Sequence, residues 1–196
     1  MHAVLRTLRQ IEDAPSLSRQ VARLAERLER KDRSARDHNA AVSRVAVRIA
    51  AHLGIRGEQL RHVELGALLH DVGKLDVPDR ILGKPTRLTD LEWRVMRRHA
   101  ASGERLLLHI LDLPDVLAIV RSHHERWDGT GYPDGKRGEG IPLGARIVAV
   151  ADAFRAMTEP RPYRLPRTRE EALQEIATES GRQFDPACVD ALRAVV

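Results

Sequence analysis

The 196-residue sequence predicts an all-α fold, a single-domain helical bundle built around a dinuclear metal centre. Two observations predict the helices. Apolar residues recur at spacings of three and four in most segments, and no alternating apolar–polar run long enough for a strand interrupts them. A third predicts the centre: histidines and aspartates fall on the same inward stripes as the apolar residues.

Taken in order, residues 17–31 (LSRQVARLAERLERK) place Val21, Leu24 and Leu28 on one face of a short amphipathic helix. Residues 38–53 repeat the pattern with Val42, Val45, Ala46, Ile49, Ala50 and Leu53, and His38 extends the stripe by one turn, so it points inward. A third helix runs from Leu60 to His70 and stops at Gly73, with a loop around Pro78 after it. Thr89 and Glu92 form a capping box for a helix whose shared face would carry Val95, His99, Ser102 and Leu106. Pro114 starts a helix that ends at His123 and His124, and glycines and a proline follow in HHERWDGTGYPDG. ARIVAVADAFRAM resumes a strongly apolar helix carrying Asp152. Thr168 with Glu171, and Asp185 with Pro186, start the last two.

Composition narrows the functional classes. The hydrophobic fraction of 42% and charged fraction of 31% are those of a folded globular chain. No apolar run approaches the roughly 20 residues of a bilayer span, and the N-terminus lacks the apolar core of a signal peptide. The expectation is a cytoplasmic protein. A net charge of +5 comes from basic residues interleaved with acidic ones, and aromatics are only 3%. That supplies no stacking platform for polymeric nucleic acid, although a small anionic ligand stays compatible. Cys188, the single cysteine, reads as a buried structural thiol.

A lone histidine on an apolar stripe is ordinarily a satisfied core residue. Five of them, His38, His70, His99, His123 and His124, together with Asp71 and Asp152, are costly to bury unless something pairs them. Imidazole and carboxylate together suit divalent Fe, Mn, Ni or Zn, and the lack of a usable cysteine argues against a closed structural zinc site. Neighbouring helical residues diverge by about 100°, so His70 and Asp71 at a helix end can serve different ions. Seven candidate ligands exceed the needs of one ion. Two metals that polarise a phosphoryl group make phosphoester hydrolysis the reaction class. His2, His52, His62 and His109 lack such company and are expected on the surface.

The stretches LLHDVGKLDVPDRILGKPTRLT, HHERWDGTGYPDG with IPL after it, and AVADAF followed by RPYR together resemble the HD-GYP family of HD-superfamily phosphohydrolases. The resemblance spans residues 29–192. It implies a domain at 29–196 preceded by an N-terminal helical extension at 1–28. It further implies hydrolysis of cyclic di-GMP to the linear dinucleotide pGpG, and onward to GMP in some members, with two divalent ions, Fe or Mn, as cofactors. Position by position, His38, His70, Asp71 and Asp152 resemble the ligands of one ion. His99, His123 and His124 resemble those of the second, with Asp71 bridging. Asp71 and Lys74 take the catalytic positions. Lys74, Tyr132, Arg161 and Arg164 take those of substrate contact, and a guanidinium fork suits phosphate oxygens. Gly129, Gly131 and Pro133 shape the loop, and Asp128 either caps it or orients a histidine.

Some members of the family hold a third metal with a glutamate where this chain has Ser34, so two metals are expected. Ala41 stands in place of a common arginine. Arg155 replaces an acidic residue one turn after Asp152, where it either strengthens phosphate binding or repels the metal. From the short stretch before residue 29, the expectation is a domain without a sensor domain in front of it. The partner readings are a cyclic dinucleotide as substrate, a homodimer through the N-terminal helix, and docking on a diguanylate cyclase. The competing functions are an HD phosphohydrolase of another cyclic dinucleotide or nucleotide, and a weakly catalytic sensing module.

Overall fold

A computed structural model of the chain describes residues 15–32, 35–160 and 165–196. Among them are ten α-helices and no strand, as the periodicity predicts. Helix α1 spans Pro15–Lys31, α2 Ala35–His52 and α3 Gly57–Leu69. His70 and Asp71 then lead into a 3-10 turn, Val72–Asp76. Helices α4 (Asp79–Leu82), α5 (Asp90–Met96), α6 (His99–Leu108) and α7 (Pro114–Ser122) follow. After the glycine-rich loop come α8 (Leu143–Thr158), α9 (Arg169–Thr178) and α10 (Pro186–Val195).

The caps form as read. Thr89 and Glu92, and Thr168 and Glu171, each bond reciprocally across a first turn, while Asp185 accepts from the Ala187 amide. Two readings differ. The loop expected around Pro78 contains the one-turn helix α4, started by Pro78, whose carbonyl accepts from the Ile81 and Leu82 amides. One helix boundary also moves. The helix expected to run on from Thr89 is two helices, broken at Arg97 and Arg98, because the Met96 carbonyl accepts from His99 Nδ1 at 2.8 Å. Val95 and His99 therefore sit on separate helices, and Leu107 is the buried leucine that follows His99 in α6.

Helix α3 is central. It contributes Val63 and Ala67 to an apolar cluster shared with α2, α8, α9 and α10, and Leu65, Leu68 and Leu69 to a second cluster with α1, α6 and α7. A helix apolar on most sides is one buried on most sides. That is why His62, expected at the surface, is buried, its Nδ1 3.1 Å from Asp115 Oδ2 on α7. Ile119 of α7 seats against Gly66 of α3 and Gly144 of α8, where an added Cβ would come within 2.6 Å and 2.5 Å of its side chain. A methyl there forces helices apart, at a cost of about 1–3 kcal/mol. The close approach brings the ends of α3 and α7 and the middle of α8 to one place. Cys188 is fully buried in the first cluster, as expected, and burial pushes its thiol pKa up.

Candidate metal centre

Three of the histidines are delivered by helix ends. The last carbonyls of an α-helix have no partner within it, and here an imidazole three residues later supplies one. His70 Nδ1 lies 2.8 Å from the Ala67 carbonyl, His99 Nδ1 2.8 Å from that of Met96, and His123 Nδ1 2.7 Å from that of Val120. A carbonyl only accepts, so each Nδ1 carries the hydrogen and each Nε2 presents a lone pair. His99 Nε2 and His123 Nε2 then face each other at 3.2 Å. With both hydrogens committed to Nδ1, these two lone pairs have no hydrogen to share and are arranged to meet a cation.

His99, His123 and His124 form one group whose donor atoms lie within 4.8 Å of one another; His38, His70 and Asp152 form a second, and His70, Asp71 and His123 a third that joins them. Asp71 stands between the two outer groups. Its Oδ2 is 3.5 Å from His70 Nε2 and its Oδ1 is 3.6 Å from His99 Nε2. The donor set is imidazole and carboxylate, with the thiol of Cys188 committed elsewhere in the core, which fits first-row divalent ions.

The electrostatics divide the same way. Burial, the main cause, lowers the pKa of His99, drives that of His123 well down, and takes that of His124 down to about 3. Burial works against the carboxylates too. The Lys74 ammonium, then the surrounding imidazoles, outweigh it and hold Asp71 well below the usual range. Asp152 is held down to about 2 against burial, chiefly by its hydrogen bond with His38. His38 goes the other way. Its Nε2 lies 2.9 Å from Asp152 Oδ1 and its Nδ1 2.8 Å from Glu159 Oε2, and these carboxylates raise its pKa despite burial.

Lys74 lies in the 3-10 turn and donates to Asp71 Oδ2 at 2.7 Å. Its placement depends on Gly73, whose position leaves no room for a Cβ against the backbone of His99 and Gly103 in α6. The cluster opens into a cleft of about 760 Å3 lined by His38, Asp71, Lys74, His99, His124, Tyr132 and Asp152. Tyr132 lies beside His124, ring centroids 4.9 Å apart, with the Arg97 guanidinium 5.4 Å from its own centroid. Gly129 has φ +81°, as a tight turn demands. Gly131 has a different reason: a Cβ there would come within 2.6 Å of Glu125 Cα. Pro133 is joined to Tyr132 by a cis peptide in the same loop.

Asp128 caps the loop rather than orienting a histidine: it accepts from the Thr130 amide at 3.0 Å and from Arg126 at 2.9 Å. Arg161, Arg164 and Ser34 lie outside the described residues. Several residues not singled out from the sequence also line the site. Trp93, Met96 and Arg97 of the α5 end form one wall of the cleft, and Glu159 abuts His38. Glu159 follows Asp152 by seven residues, two helical turns, and that spacing was the available signal.

An all-helical bundle with a buried histidine–aspartate cluster at the base of a cleft defines a class: a helical domain able to hold divalent metal. The chain belongs to the HD domain family, whose model matches residues 14–188. It is 44% identical over 176 residues to the cyclic di-GMP phosphodiesterase response regulator RpfG of Xanthomonas campestris pv. campestris, covering 88% of this chain and 46% of that protein. It is 36% identical over 174 residues to the 3'3'-cGAMP-specific phosphodiesterase 2 of Vibrio cholerae, covering 88% of this chain and 33% of that protein. It thus spans half or less of the length of these relatives. The fold is similar to the crystal structure of the V. cholerae cyclic GMP-AMP-specific phosphodiesterase V-cGAP3, with a TM-score of 0.64, 21% identity, and coverage of 80% of this chain and 43% of that one. No helix among the described residues is long and apolar enough to cross a membrane.

Proposed function

We propose that the chain is a metal-dependent phosphodiesterase that hydrolyses cyclic di-GMP to pGpG, acting in the cytoplasm with two divalent ions, Fe or Mn. The observation that carries this reading is the facing pair of Nε2 lone pairs on His99 and His123, with Asp71 reaching from their group to His70. His38, His70, Asp71 and Asp152 would hold one ion, and His99, His123 and His124 the other, with Asp71 shared. Bound there, the ions would polarise the phosphoryl oxygens and activate water near neutral pH.

The remaining steps belong to the chain itself. Lys74 Nζ, already fixed by Asp71, sits where it can neutralise charge that builds on the phosphoryl oxygens in the transition state. Its pKa is raised, Asp71 outweighing burial, so it stays charged throughout the working range. Tyr132 closes the loop side of the cleft; burial pushes its hydroxyl pKa up, so it stays protonated and can donate to a substrate oxygen. Trp93 and Met96 offer an apolar wall on which a purine ring can lie. Arg161 and Arg164 are the further substrate contacts that the resemblance implies.

The identity of 44% to a relative named for cyclic di-GMP favours that substrate, and the relative named for 3'3'-cGAMP carries the second reading, another cyclic dinucleotide. Chelator-free protein reconstituted with Fe(II) or Mn(II) under reducing conditions, and offered a panel of cyclic dinucleotides and nucleotide monophosphates, separates them. We expect pGpG from cyclic di-GMP. Turnover confined to other cyclic dinucleotides establishes the second reading, and no turnover with either metal rejects both.

A further inference from the structure

Of the four histidine Nδ1 atoms given a partner in the cluster, three donate to a backbone carbonyl at a helix end. His38 is the exception. It lies within the first turn of α2, away from any carboxyl-terminal carbonyl, and its Nδ1 is met by a carboxylate, Glu159 Oε2 at 2.8 Å. Glu159 is the residue that ends α8, its amide bonded to the Arg155 carbonyl at 3.0 Å. Its other oxygen, Oε1, accepts from Arg155 Nη2 at 2.9 Å and Nε at 3.1 Å. The carboxylate is thus held by two nitrogens of one guanidinium on one side and turned to the imidazole on the other. Its side chain is only 19% exposed, which limits competition from water.

From this geometry we infer that Glu159, braced by Arg155, is the positioning residue of His38, fixing the tautomer in which Nε2 is offered to the ion shared with His70 and Asp152. The inference rests on the dinuclear reading above. A carboxylate behind a metal-bound imidazole orients the ring and raises its basicity more than a carbonyl does. Arg155 accordingly has a third role, neither of the two the sequence suggests. Its charge is spent on Glu159 instead of on substrate or ion.

Protein stripped with chelator and titrated with Mn(II), following the loss of the six-line electron paramagnetic resonance signal of the free ion, reads each site without catalysis. We expect wild-type protein to take up two ions, and E159A to bind one of them about 10–100-fold more weakly while the other is unchanged. E159Q, whose amide oxygen still accepts from Nδ1, is expected to fall between the two, as is R155A. Equal losses at both sites would mean a general structural role and overturn the inference, as would E159A titrating like wild type. Should E159A fail to fold, E159Q and R155A decide: binding unchanged in both rejects the inference. Wild-type protein taking up fewer than two ions rejects the dinuclear reading itself.

Discussion

On one side of Asp71, His99, His123 and His124 are buried together, with the Nδ1 hydrogens of His99 and His123 committed to helix-end carbonyls and all three pKa values driven down by burial. On the other side, His38 lies between Asp152 and Glu159 and its pKa is raised. The side chain is the same and the surroundings reverse its charge preference. The three-histidine half is a set of neutral donors waiting for a cation. The His38 half is a network in which both ring nitrogens face carboxylates, which favours the protonated ring.

Asp71 is where the halves meet, and its removal is the largest perturbation we predict. Asp71→Ala deletes the carboxylate placed between His70 and His99 and removes the oxygen to which Lys74 donates. Turnover of cyclic di-GMP should fall by at least about 1,000-fold, because both metal positions and the Lys74 orientation change at once. Metal analysis of the same sample should show fewer than two ions per chain. A variant with one ion and near-normal turnover would sink the two-metal scheme.

Lys74→Met comes next. The stem survives while the charge is lost, so both halves should keep their ions and kcat should drop about 100-fold, with KM moving little. Metal content and steady-state kinetics measured together test this. A matched loss of metal and of rate would assign Lys74 to holding Asp71 and deny it any part in stabilising charge.

How far the sequence foretold this site depends on which half is considered. The long helices were legible from spacing and caps, because amphipathic stripes and capping boxes are local signals; the four-residue α4 was read as loop, and α5 and α6 as one helix. His38, His70, Asp71, His99, His123, His124 and Asp152 were legible too, since polar residues on apolar stripes stand out, and the structure brings all seven together. What the sequence hid is contact between distant segments. Glu159 meets His38 across 121 positions, and the only local hint is its two-turn spacing from Asp152, which does not name His38 as the partner. The break at Arg97 was equally hidden, because an imidazole taking a helix carbonyl leaves the periodicity intact. His62 failed for a related reason: an environment set by three packed helices does not show in the residues beside it.

The opposed pKa shifts predict how the metal-free protein responds to acid. His99, His123 and His124 have folded pKa values below the ordinary 6.5, so their contribution is intact above that pH and is lost as pH falls and the unfolded chain takes protons the fold refuses. His38 has the opposite sign: its contribution is complete below 6.5 and is lost as pH rises through its raised value. Three against one, the acid loss dominates. Thermal melts of chelator-treated protein should show Tm falling steadily from pH 7 to pH 5. His38→Gln should steepen that fall, whereas a flat profile would mean that the three-histidine half is already solvated.

The smallest effect expected lies outside both halves, on the wall of the cleft. Trp93 is 46% exposed, a large apolar surface that lines the cleft together with Met96. Removing it creates no core void, so folding should be unaffected. If a purine lies on it, Trp93→Ala forfeits stacking of about 1–1.5 kcal/mol, a rise in KM of about tenfold. The rate on a small phosphodiester without a base should be untouched. Losing rate on both substrates would place Trp93 in the support of α5, not in contact with the nucleotide, and would shift base recognition to Tyr132 and the Arg97 guanidinium that lies over its ring.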